Sequence, residues 1–553
     1  MSTRARAFRA THAPDGALSP VLPEFHRALG EPGGTSPASL RALARRVSLP
    51  VAAVRGALSS FDDVKVPRGA IRVCAGTSCA LAGGGEVARE VEKHGACHPV
   101  YCLGYCDRGP NAMTPGGAIV ADLSVGTVPR LWEGEPPHPA PASVRCVARH
   151  AVATSRLLAG ARAPEEAPEY AGLRAALGRS PEGVVEAALA SGLRGRGGAA
   201  FAAGKKWQLA ARAGGSPKFV VANGDEGDPG SYIDRELMEG DPHAILEGMA
   251  ICGHAIGASR GIVFIRSEYP VSVDVMTRAI DAARKAGALG PDALGRGKPF
   301  DVEVVCGMGS YVCGEETALL AAIEGMRGEV WPRPPYPVEA GVYGKPTVVA
   351  NVETLANVPW IMSHGAAAYA RMGTRESAGT KLLCFDRGFA RPGIVEVEFG
   401  VTLRSAIEEL GGGGAGGRPL EAVLLGGPMG SIVTPDQWDA PVCFAAMGRR
   451  GINLGHAGLV AIPAPADWGA ILRHLLAFMR DESCGKCVPC RLGTLRAGEM
   501  AHAGLTDGAL PRFRRIMSLM KEASLCAFGR ETPGPVNTIL DRFGDRILGE
   551  VSA

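Results

Sequence analysis

The chain is 553 residues long, and its 59 basic and 56 acidic residues give a formal net charge of +3. Such a length exceeds one compact core and predicts about three or four domains. The charges are spread along the chain, which excludes a basic nucleic-acid footprint and an acidic tail. No run reaches the roughly 18 apolar residues of a membrane span. We therefore expect a soluble protein that binds no nucleic acid and crosses no membrane.

Residues 18–65 carry apolar side chains at helical spacing with Ser and Pro at the starts of the repeats, which predicts a small helical bundle. A small domain over 66–133 follows, with a strand at 70–73 and a helix at 86–94. Four thiols flank these elements in C-x4-C and C-x3-C pairs: Cys74, Cys79, Cys102 and Cys106. Two thiolate pairs suit a [2Fe-2S] cluster, one pair for each iron. A zinc site and a thioredoxin-type redox pair remain the alternatives.

The Pro-rich segment 134–150 is predicted to be a linker. Residues 151–370 alternate helical patterns with β-branched runs at 219–221, 261–265 and 302–305, which predicts an α/β domain. Strands at 380–385, 393–397 and 422–427, with one helix at 403–410, predict a compact α+β unit of ubiquitin-like size over 371–460. The last segment, 461–553, is predicted to be helical.

Three glycine-rich stretches lie in the α/β region, and their residues alone leave several interpretations open. The stretch 192–201 matches G-x-G-x-x-G/A but follows a predicted helix, which disfavours a Rossmann fingerprint. It can still offer N–H groups to a phosphate or a polar ring edge, or be a plain loop. The stretch 223–232 suits calcium, a planar ligand or a solvated turn. The stretch 307–317 has the strand, glycine, helix order of a nucleotide site, where Glu315 and Glu316 would repel a 2′-phosphate and favour NAD over NADP.

A second thiol set lies near the C-terminal end of the sequence. Cys484, Cys487 and Cys490 form a C-x2-C-x2-C run, and Cys526 follows later in the chain. A three-Cys run with one distant Cys is typical of [4Fe-4S] ligation, and zinc is the rival. Ligand-spaced thiols without an export signal predict a cytoplasmic protein.

Six motifs together resemble the family of NADH-oxidising flavoprotein (FMN/[4Fe-4S]) subunits of respiratory NADH:quinone oxidoreductase, over about residue 150 to the end. They are Gly-Leu-Arg-Gly-Arg-Gly-Gly at 192–198, Asp-Glu-Gly-Asp-Pro-Gly at 225–230, Arg-Ser-Glu-Tyr-Pro at 266–270, Cys-Gly-Glu-Glu-Thr at 313–317, Gly-Lys-Pro-Thr with Asn-Val-Glu-Thr at 344–347 and 351–354, and Ser-Cys-Gly-Lys-Cys-Val-Pro-Cys-Arg at 483–491. Residues 18 to about 130 resemble the partner [2Fe-2S] subunit, here fused in front.

The resemblance implies an α/β multidomain fold. Its expected parts are the helical bundle, a thioredoxin-like [2Fe-2S] domain, a Rossmann-like α/β FMN/NADH domain, a β-grasp (ubiquitin-like) domain and a C-terminal helical bundle that carries a [4Fe-4S] cluster. The reaction it implies is hydride exchange between nicotinamide C4 and flavin N5, followed by single-electron steps through the clusters. This reaction needs no acid–base side chain, so we expect no catalytic residue in that sense, and Asp228 and Glu315 are expected to position the rings.

The resemblance also implies site residues. FMN would contact Gly195, Arg196, Gly197, Gly198, Lys206, Asn223, Asp225, Glu226, Gly227, Gly314, Glu315, Glu316, Asn351 and Thr354. NAD would contact Phe201, Asp228, Glu315, Glu316, Arg333 and Tyr336. Three departures from the family are expected to change nucleotide affinity: Ala200 replaces a usual Gly, Ala350 a usual Asn, and Arg333 and Tyr336 a usual Lys and Phe.

The variant motif at 225–230 is similar to soluble NAD-dependent formate dehydrogenases and NAD-reducing hydrogenases. We expect the diaphorase (beta) subunit of a cytoplasmic formate dehydrogenase that converts formate and NAD+ to CO2 and NADH. The chain has no molybdopterin or nickel-iron signature. Its expected partners are therefore a molybdopterin- or tungstopterin-type iron-sulfur catalytic subunit and a further small [2Fe-2S] subunit. The alternatives are a diaphorase of an NAD-reducing [NiFe] hydrogenase or of NADH:quinone oxidoreductase, and, in another class, a non-redox zinc-binding scaffold.

Overall fold

A computed structural model describes residues 20–30, 35–134, 138–160, 163–293, 297–506 and 508–548. Parts of the predicted helical bundle, linker and C-terminal domain lie outside these ranges. The model confirms an α/β protein built from several sheets and helical layers. Within the described ranges, no helix is both long enough and apolar enough to cross a membrane.

Three N-terminal helices form the first layer: Leu22–Gly30 (α1), Pro37–Arg46 (α2) and Val51–Leu58 (α3). The second begins as its sequence predicts, because Ser36 accepts a hydrogen bond from the Ser39 amide and Pro37 occupies the first turn. Apolar side chains of the three helices share one core with the α/β domain, including Phe219 and Ile262. The helical bundle therefore covers one face of the central sheet.

The small domain holds a four-stranded sheet in the order β2-β1-β3-β4. Its strands are Ile71–Cys74 (β1), Cys97–Val100 (β2), Ala112–Met113 (β3) and Ile119–Val120 (β4), and its helices are Thr77–Leu81 (α4) and Gly84–His94 (α5). The first two strands run parallel, so their carboxyl ends lie side by side. The two loops that carry the predicted cysteine pairs meet at this edge.

The Pro-rich segment predicted as a linker contributes an edge strand, Val144–Cys146 (β5), to a later sheet. Helices of the α/β domain follow it: Ser155–Leu158 (α6), Ala171–Leu177 (α7), Pro181–Ala190 (α8), Ala203–Arg212 (α9), Ile233–Gly240 (α10), Pro242–Ile256 (α11), Pro270–Lys285 (α12), Glu316–Ile323 (α13), Pro337–Ala340 (α14), Val352–His364 (α15) and Ala366–Ala370 (α16). As the sequence predicts, the stretch 192–198 lies between two helices and not after a strand.

The α/β domain is centred on four parallel strands in the order β8-β7-β6-β9. They are Phe219–Gly224 (β6), Arg260–Ile265 (β7), Asp301–Cys306 (β8) and Thr347–Asn351 (β9). The two central strands are buried along almost their whole length, as expected for a parallel sheet covered on both faces. The loops that follow the carboxyl ends of these strands therefore gather at one edge, where open α/β sheets bind ligands.

A six-stranded sheet in the order β15-β14-β16-β12-β13-β5 forms the next layer. Its remaining strands are Thr380–Phe385 (β12), Gly393–Glu398 (β13), Leu420–Leu425 (β14), Ser431–Val433 (β15) and Gly458–Pro463 (β16), preceded by the hairpin Gly373–Thr374 (β10) and Ser377–Ala378 (β11). The predicted helix at 403–410 is a single π-helical segment, Ser405–Leu410, and one further helix is Phe444–Arg449 (α17).

The C-terminal region is helical, as predicted: Trp468–Asp481 (α18), Val488–Ala503 (α19), Leu510–Ala523 (α20), Ala527–Glu531 (α21) and Pro533–Leu548 (α22). Its core includes Leu424 and Val460 of the six-stranded sheet and Val312 of the α/β domain. Short 3-10 segments complete the connections: Asp62–Val64, Cys106–Arg108, Val125–Trp132, Tyr311–Gly314, Val342–Gly344, Ala415–Gly417 and Pro435–Gln437.

Candidate functional site

The carboxyl edge of the parallel sheet brings the predicted FMN segments together. Asn223 lies at the end of β6, and its side-chain amide donates to the carbonyl of Gly314, 2.8 Å away. The Asn223 side-chain oxygen in turn accepts from the backbone N–H of Asp225 at 3.1 Å. Two stretches that are far apart in sequence, 223–228 and 311–316, are thereby held as neighbouring walls of one site.

The loop 192–198 closes the same site from the side of β9. The backbone N–H of Arg196 donates to the hydroxyl of Thr354 at 2.8 Å. A Cβ on Gly197 would lie 3.0 Å from the Cβ of Asn351, so glycine allows the two segments to approach closely. The Arg196 side chain points elsewhere, because its guanidinium donates to the Tyr369 hydroxyl at 2.7 Å in the core. What Arg196 offers the predicted FMN contact is its backbone.

Asp225 supplies the observation that tests whether FMN fits. Its Oδ2 atom is buried and has no hydrogen-bond partner in the described structure. Burial raises the pKa of this carboxyl well above its usual range. The unpartnered oxygen lies 3.5 Å from the position that a Cβ on Gly314 would occupy. A buried acceptor beside a glycine suits the edge of a planar ring that carries N–H groups, so the residues fit a flavin.

Two predicted nucleotide residues, Glu315 and Glu316, have distinct partners. Glu315 caps helix α13, since its Oε2 accepts from the amides of Thr317 and Ala318 at 2.9 and 3.1 Å. Glu316 lies between two cations, 3.2 Å from Lys206 and 2.8 Å from Arg333. The charge that the sequence suggests would repel a 2′-phosphate is therefore partly balanced by these cations.

The two aromatic residues predicted to contact NAD lie at the surface. Phe201 is 48% exposed and Tyr336 is 52% exposed. Asp228 lies deeper, and its Oδ1 accepts a hydrogen bond from the Tyr311 hydroxyl. Burial raises the pKa of Asp228, while the Tyr311 hydrogen bond opposes that shift. A Cβ on Gly227 would lie 2.5 Å from the Tyr311 ring, so the loop packs tightly against that ring.

Glu226 turns away from this opening and into the protein. Its carboxylate accepts from the Ser231 hydroxyl at 2.8 Å and from the amides of Asp234 and Arg235 at 3.1 and 3.0 Å. His456, which no sequence motif identifies, lies 3.3 Å from it. Because Asp228 bonds to Tyr311 and Glu226 bonds inward, the carboxylates of the stretch 223–232 do not converge on one calcium site.

The four cysteines of the C-terminal set line one cavity, together with Val312, Val330, Ser483, Lys486 and Phe528. The run 484–490 enters helix α19, and Cys526 lies directly before helix α21. Burial raises the pKa of Cys490 to about 12 and that of Cys526 to about 11. The thiols of Cys490 and Cys526 therefore keep their protons at neutral pH until a metal centre displaces them.

The four cysteines of the N-terminal set are all buried at the edge of the small sheet. The sulfurs of Cys102 and Cys106 are 3.5 Å apart, and hydrogen bonding to Cys79 lowers the pKa of Cys74 to about 7. The residues thus form two pairs, as a [2Fe-2S] cluster requires.

Zinc is less consistent with both cysteine sets. Four thiolates at about 2.3 Å around one zinc would lie about 3.8 Å apart. Among the described residues, three possible metal-ligand atoms lie within 4.8 Å of one another only in the group formed by Glu226, Asp234 and His456, which contains no thiol. The sulfurs of Cys102 and Cys106 are close enough to share one metal ion, but no three of the described thiols are as close together as a zinc site requires.

Backbone contacts connect the flavin site to both cysteine sets. Val312 lines the C-terminal cysteine cavity, and Gly314, two residues later, packs against Asp225. On the other side, the amide of Gly230 donates to the sulfur of Cys106 at 3.3 Å. The predicted flavin site therefore shares one wall with each cysteine set.

Comparison with known protein families matches three parts of the chain. Residues 8–133 match the thioredoxin-like [2Fe-2S] ferredoxin family, residues 189–360 the Nuo51 FMN-binding domain, and residues 470–549 the NADH-ubiquinone oxidoreductase-F iron-sulfur binding region. These matches confirm the expected FMN, [2Fe-2S] and [4Fe-4S] cofactors.

Similar proteins lead to the same family. The NADP-reducing hydrogenase subunit HndC of Solidesulfovibrio fructosivorans is 40% identical over 69% of this chain and 79% of its own. The mitochondrial NADH dehydrogenase (ubiquinone) flavoprotein 1 of Dictyostelium discoideum is 37% identical over 66% and 78%. The chain belongs to the NADH-ubiquinone oxidoreductase-F family. It is thus an NAD-linked oxidoreductase, as the sequence predicted.

A solved structure matches this chain over nearly its whole length, including the N-terminal [2Fe-2S] domain. A chain of the NAD+-reducing [NiFe]-hydrogenase in its H2-reduced state superimposes with a TM-score of 0.82 and 28% identity, covering 96% of this chain and 92% of that one. The air-oxidised state gives a TM-score of 0.83 at 27% identity. The oxidoreductase-F fold and the preceding [2Fe-2S] domain therefore occur together in a known structure.

Proposed function

We propose that the chain is the NAD(H)-reactive diaphorase subunit of a larger complex, in which its two clusters exchange electrons with other subunits. When bound, FMN exchanges a hydride with the nicotinamide and single electrons with the clusters. The observation that carries the proposal is the pair of shared walls, because Val312 and Gly230 connect the flavin site directly to the two cysteine sets. A scaffold without redox activity has no need of that arrangement.

The protein's own part in this proposal is to bind and orient two rings. Asn223, Asp225 and Asn351 surround the flavin with amide and carboxyl groups, while Thr354 holds the glycine loop in place. Phe201 and Tyr336 would cover the nicotinamide side and exclude water. No side chain has to move a proton in this scheme, because the hydride passes directly between the two rings.

A contact surface for the electron-exchanging partner is suggested by helix α19, which starts within the C-terminal cysteine run. Val488, Leu492 and Leu495 recur at helical spacing, and they are 55%, 47% and 37% exposed. A run of exposed apolar side chains on one helical face is typical of a protein contact. We place the partner there because Val488 directly follows Cys487, and a contact beside the cysteine run shortens the distance that an electron must travel.

The proposal also concerns the substrate that the partner subunit oxidises or reduces. The motif at 225–230 resembles soluble NAD-dependent formate dehydrogenases and NAD-reducing hydrogenases alike, and of the two we propose a formate dehydrogenase with a molybdopterin- or tungstopterin-type catalytic subunit. A hydrogenase is the second candidate, because the relative HndC and the superimposed solved chain are both named as hydrogenase components. The relative named as an NADH dehydrogenase flavoprotein supports a third candidate of the same class, NADH:quinone oxidoreductase.

Copurification decides between these candidates. The complex is isolated through a tag on this chain, its subunits are identified, and NAD+ reduction is measured with formate and with H2. The proposal predicts a pterin-containing subunit and formate-dependent NAD+ reduction. A nickel-containing subunit with H2-dependent activity would replace formate by hydrogen, and isolation without flavin or NADH oxidation would refute the diaphorase itself.

Nucleotide choice can be measured on the same preparation. Glu315 and Glu316 support NAD, but Arg333 lies beside both, and HndC is named as NADP-reducing. We propose NAD as the substrate. The test is the ratio of kcat/KM for NADH and NADPH with an artificial one-electron acceptor, and a ratio below one would contradict the proposal.

A further inference from the structure

His456 is a buried residue on the segment between helix α17 and strand β16, in the six-stranded sheet's part of the chain. Its neighbours Glu226 and Asp234 belong to the α/β domain. The contact between the two parts is close, since a Cβ on Gly198 of the flavin loop would lie 3.4 Å from the backbone of Gly455. The imidazole therefore reaches the buried Glu226 and Asp234 from a part of the chain that lies outside the α/β domain.

The hydrogen bonds of His456 indicate which of its ring nitrogens carries a proton. The Ser231 hydroxyl donates its proton to Glu226. Its oxygen therefore accepts a hydrogen bond from His456 Nδ1, which is 2.7 Å away. The other nitrogen, Nε2, faces the Asp234 carboxylate at 3.3 Å. Because Nε2 also lies within reach of the Asn351 amide, hydrogen bonding alone places a proton only on Nδ1, and the positive charge of the ring follows from its two carboxylate neighbours. Burial lowers the pKa of His456, but Asp234 and Glu226 outweigh burial and raise it to about 10.

Asp234 passes the effect of this cation to the predicted FMN contact Asn351. One oxygen, Oδ2, accepts from the Asn351 amide at 2.7 Å and faces the imidazolium at 3.3 Å. The Asn351 amide nitrogen itself lies 3.3 Å from His456 Nε2. The amide orientation is therefore set by Asp234 together with the Thr354 backbone N–H, which donates to Asn351 Oδ1 at 3.4 Å, and the position of Asp234 depends in turn on the ring beside it.

We propose that His456 is a positioning residue of the FMN site: its imidazolium compensates the buried Glu226 and Asp234 carboxylates and thereby holds the Asn351 amide against the flavin. The inference rests on the assignment of Asn351 to FMN. Without the ring's charge, two buried carboxylates face each other uncompensated, and at least one must take a proton or move. Movement of a carboxylate would release the Asn351 amide and leave the surroundings of the flavin more negative, whereas protonation of Asp234 would weaken it as the acceptor of that amide.

The test uses the full-length protein with His456→Gln, and His364→Gln as the control, because His364 lies on the exposed end of helix α15. After removal of FMN, the dissociation constant is measured by flavin fluorescence, and the midpoint potential is measured on the reloaded protein. We expect about tenfold weaker FMN binding, by analogy with the loss of a residue that orients a ligating side chain. The potential of the remaining flavin should shift to more negative values, and the control should change neither quantity.

Asp234→Asn, which keeps the side-chain shape, replaces the first variant if that one does not fold, and it too should weaken FMN binding. Wild-type affinity and potential in the variant, with only a lower melting temperature, would overturn the inference and assign His456 a purely structural role. A wild-type protein that binds no FMN would overturn the proposed function as well, so the two failures are distinguishable.

Discussion

Tyr311 offers the sharpest test of how the nucleotide opening works. Its hydroxyl donates to Asp228, while its ring packs edge-on against Phe478 with centroids 5.0 Å apart. The change Tyr311→Phe removes the hydroxyl and keeps the ring. A hydrogen bond to a carboxylate contributes about 1.5–3 kcal/mol. Because Asp228 is only partly buried, the lower end of this energy range applies. It is about 1.5 kcal/mol, which corresponds to a factor of about ten in the binding of NADH.

The assay is steady-state NADH oxidation with an artificial acceptor, together with FMN and iron analysis. We expect the KM for NADH to rise about tenfold because Asp228 loses its only side-chain hydrogen bond in the described structure, while FMN and iron stay at wild-type levels. Tyr101→Phe is the matched control, since Tyr101 packs on the same Phe478 ring at 5.0 Å but donates to Asp481. An unchanged KM in Tyr311→Phe with full cofactor content would refute the role given to Asp228.

Four further outcomes are expected. Cys526→Ala should lose about four of about six irons per chain and keep FMN, whereas Cys97→Ala, which lies outside both sets, should lose none. Leu492→Asp should weaken copurification of the partner subunit without changing NADH oxidation by artificial acceptors. Ala200 has a φ of 53°, in the left-handed region, so Ala200→Gly should relieve about 1 kcal/mol of backbone strain and raise the melting temperature. Because the pKa of His456 is raised to about 10, its protonated ring stabilises the folded protein fully below about pH 6.5, and this stabilisation is lost as pH rises through about 10. The free energy of unfolding of the wild type should therefore fall more steeply between pH 7 and 10 than that of His456→Gln.

The grouping of the cysteines and the positions of the main strands could be predicted because their signals are local. Thiol spacing identifies Cys484 to Cys490 without knowledge of the fold, and the β-branched run at 219–221 forms strand β6 where the pattern places it. The same holds for the helix before the first glycine loop, which correctly disfavoured a Rossmann fingerprint.

Residues that act across sheets could not be predicted. His456 stands alone in its segment, and nothing in the sequence relates it to Glu226, which is 230 residues away in the numbering. The inward rotation of the Arg196 and Glu226 side chains also depends on packing, since a motif names a residue but not the direction of its side chain. The strand Val144–Cys146 was hidden because a Pro-rich composition is typical of linkers, while its partner strand lies far along the chain.

Cofactor analysis of the purified chain tests the central claim most directly. Flavin and iron are measured on anaerobically purified protein, and NADH is then added while the visible spectrum is recorded. We expect about one FMN and about six irons per chain, and we expect NADH to bleach the absorbance of both the flavin and the clusters. A colourless protein would contradict the proposed cofactors, and a flavin that NADH reduces while both clusters stay oxidised would contradict electron transfer from the flavin site to the clusters.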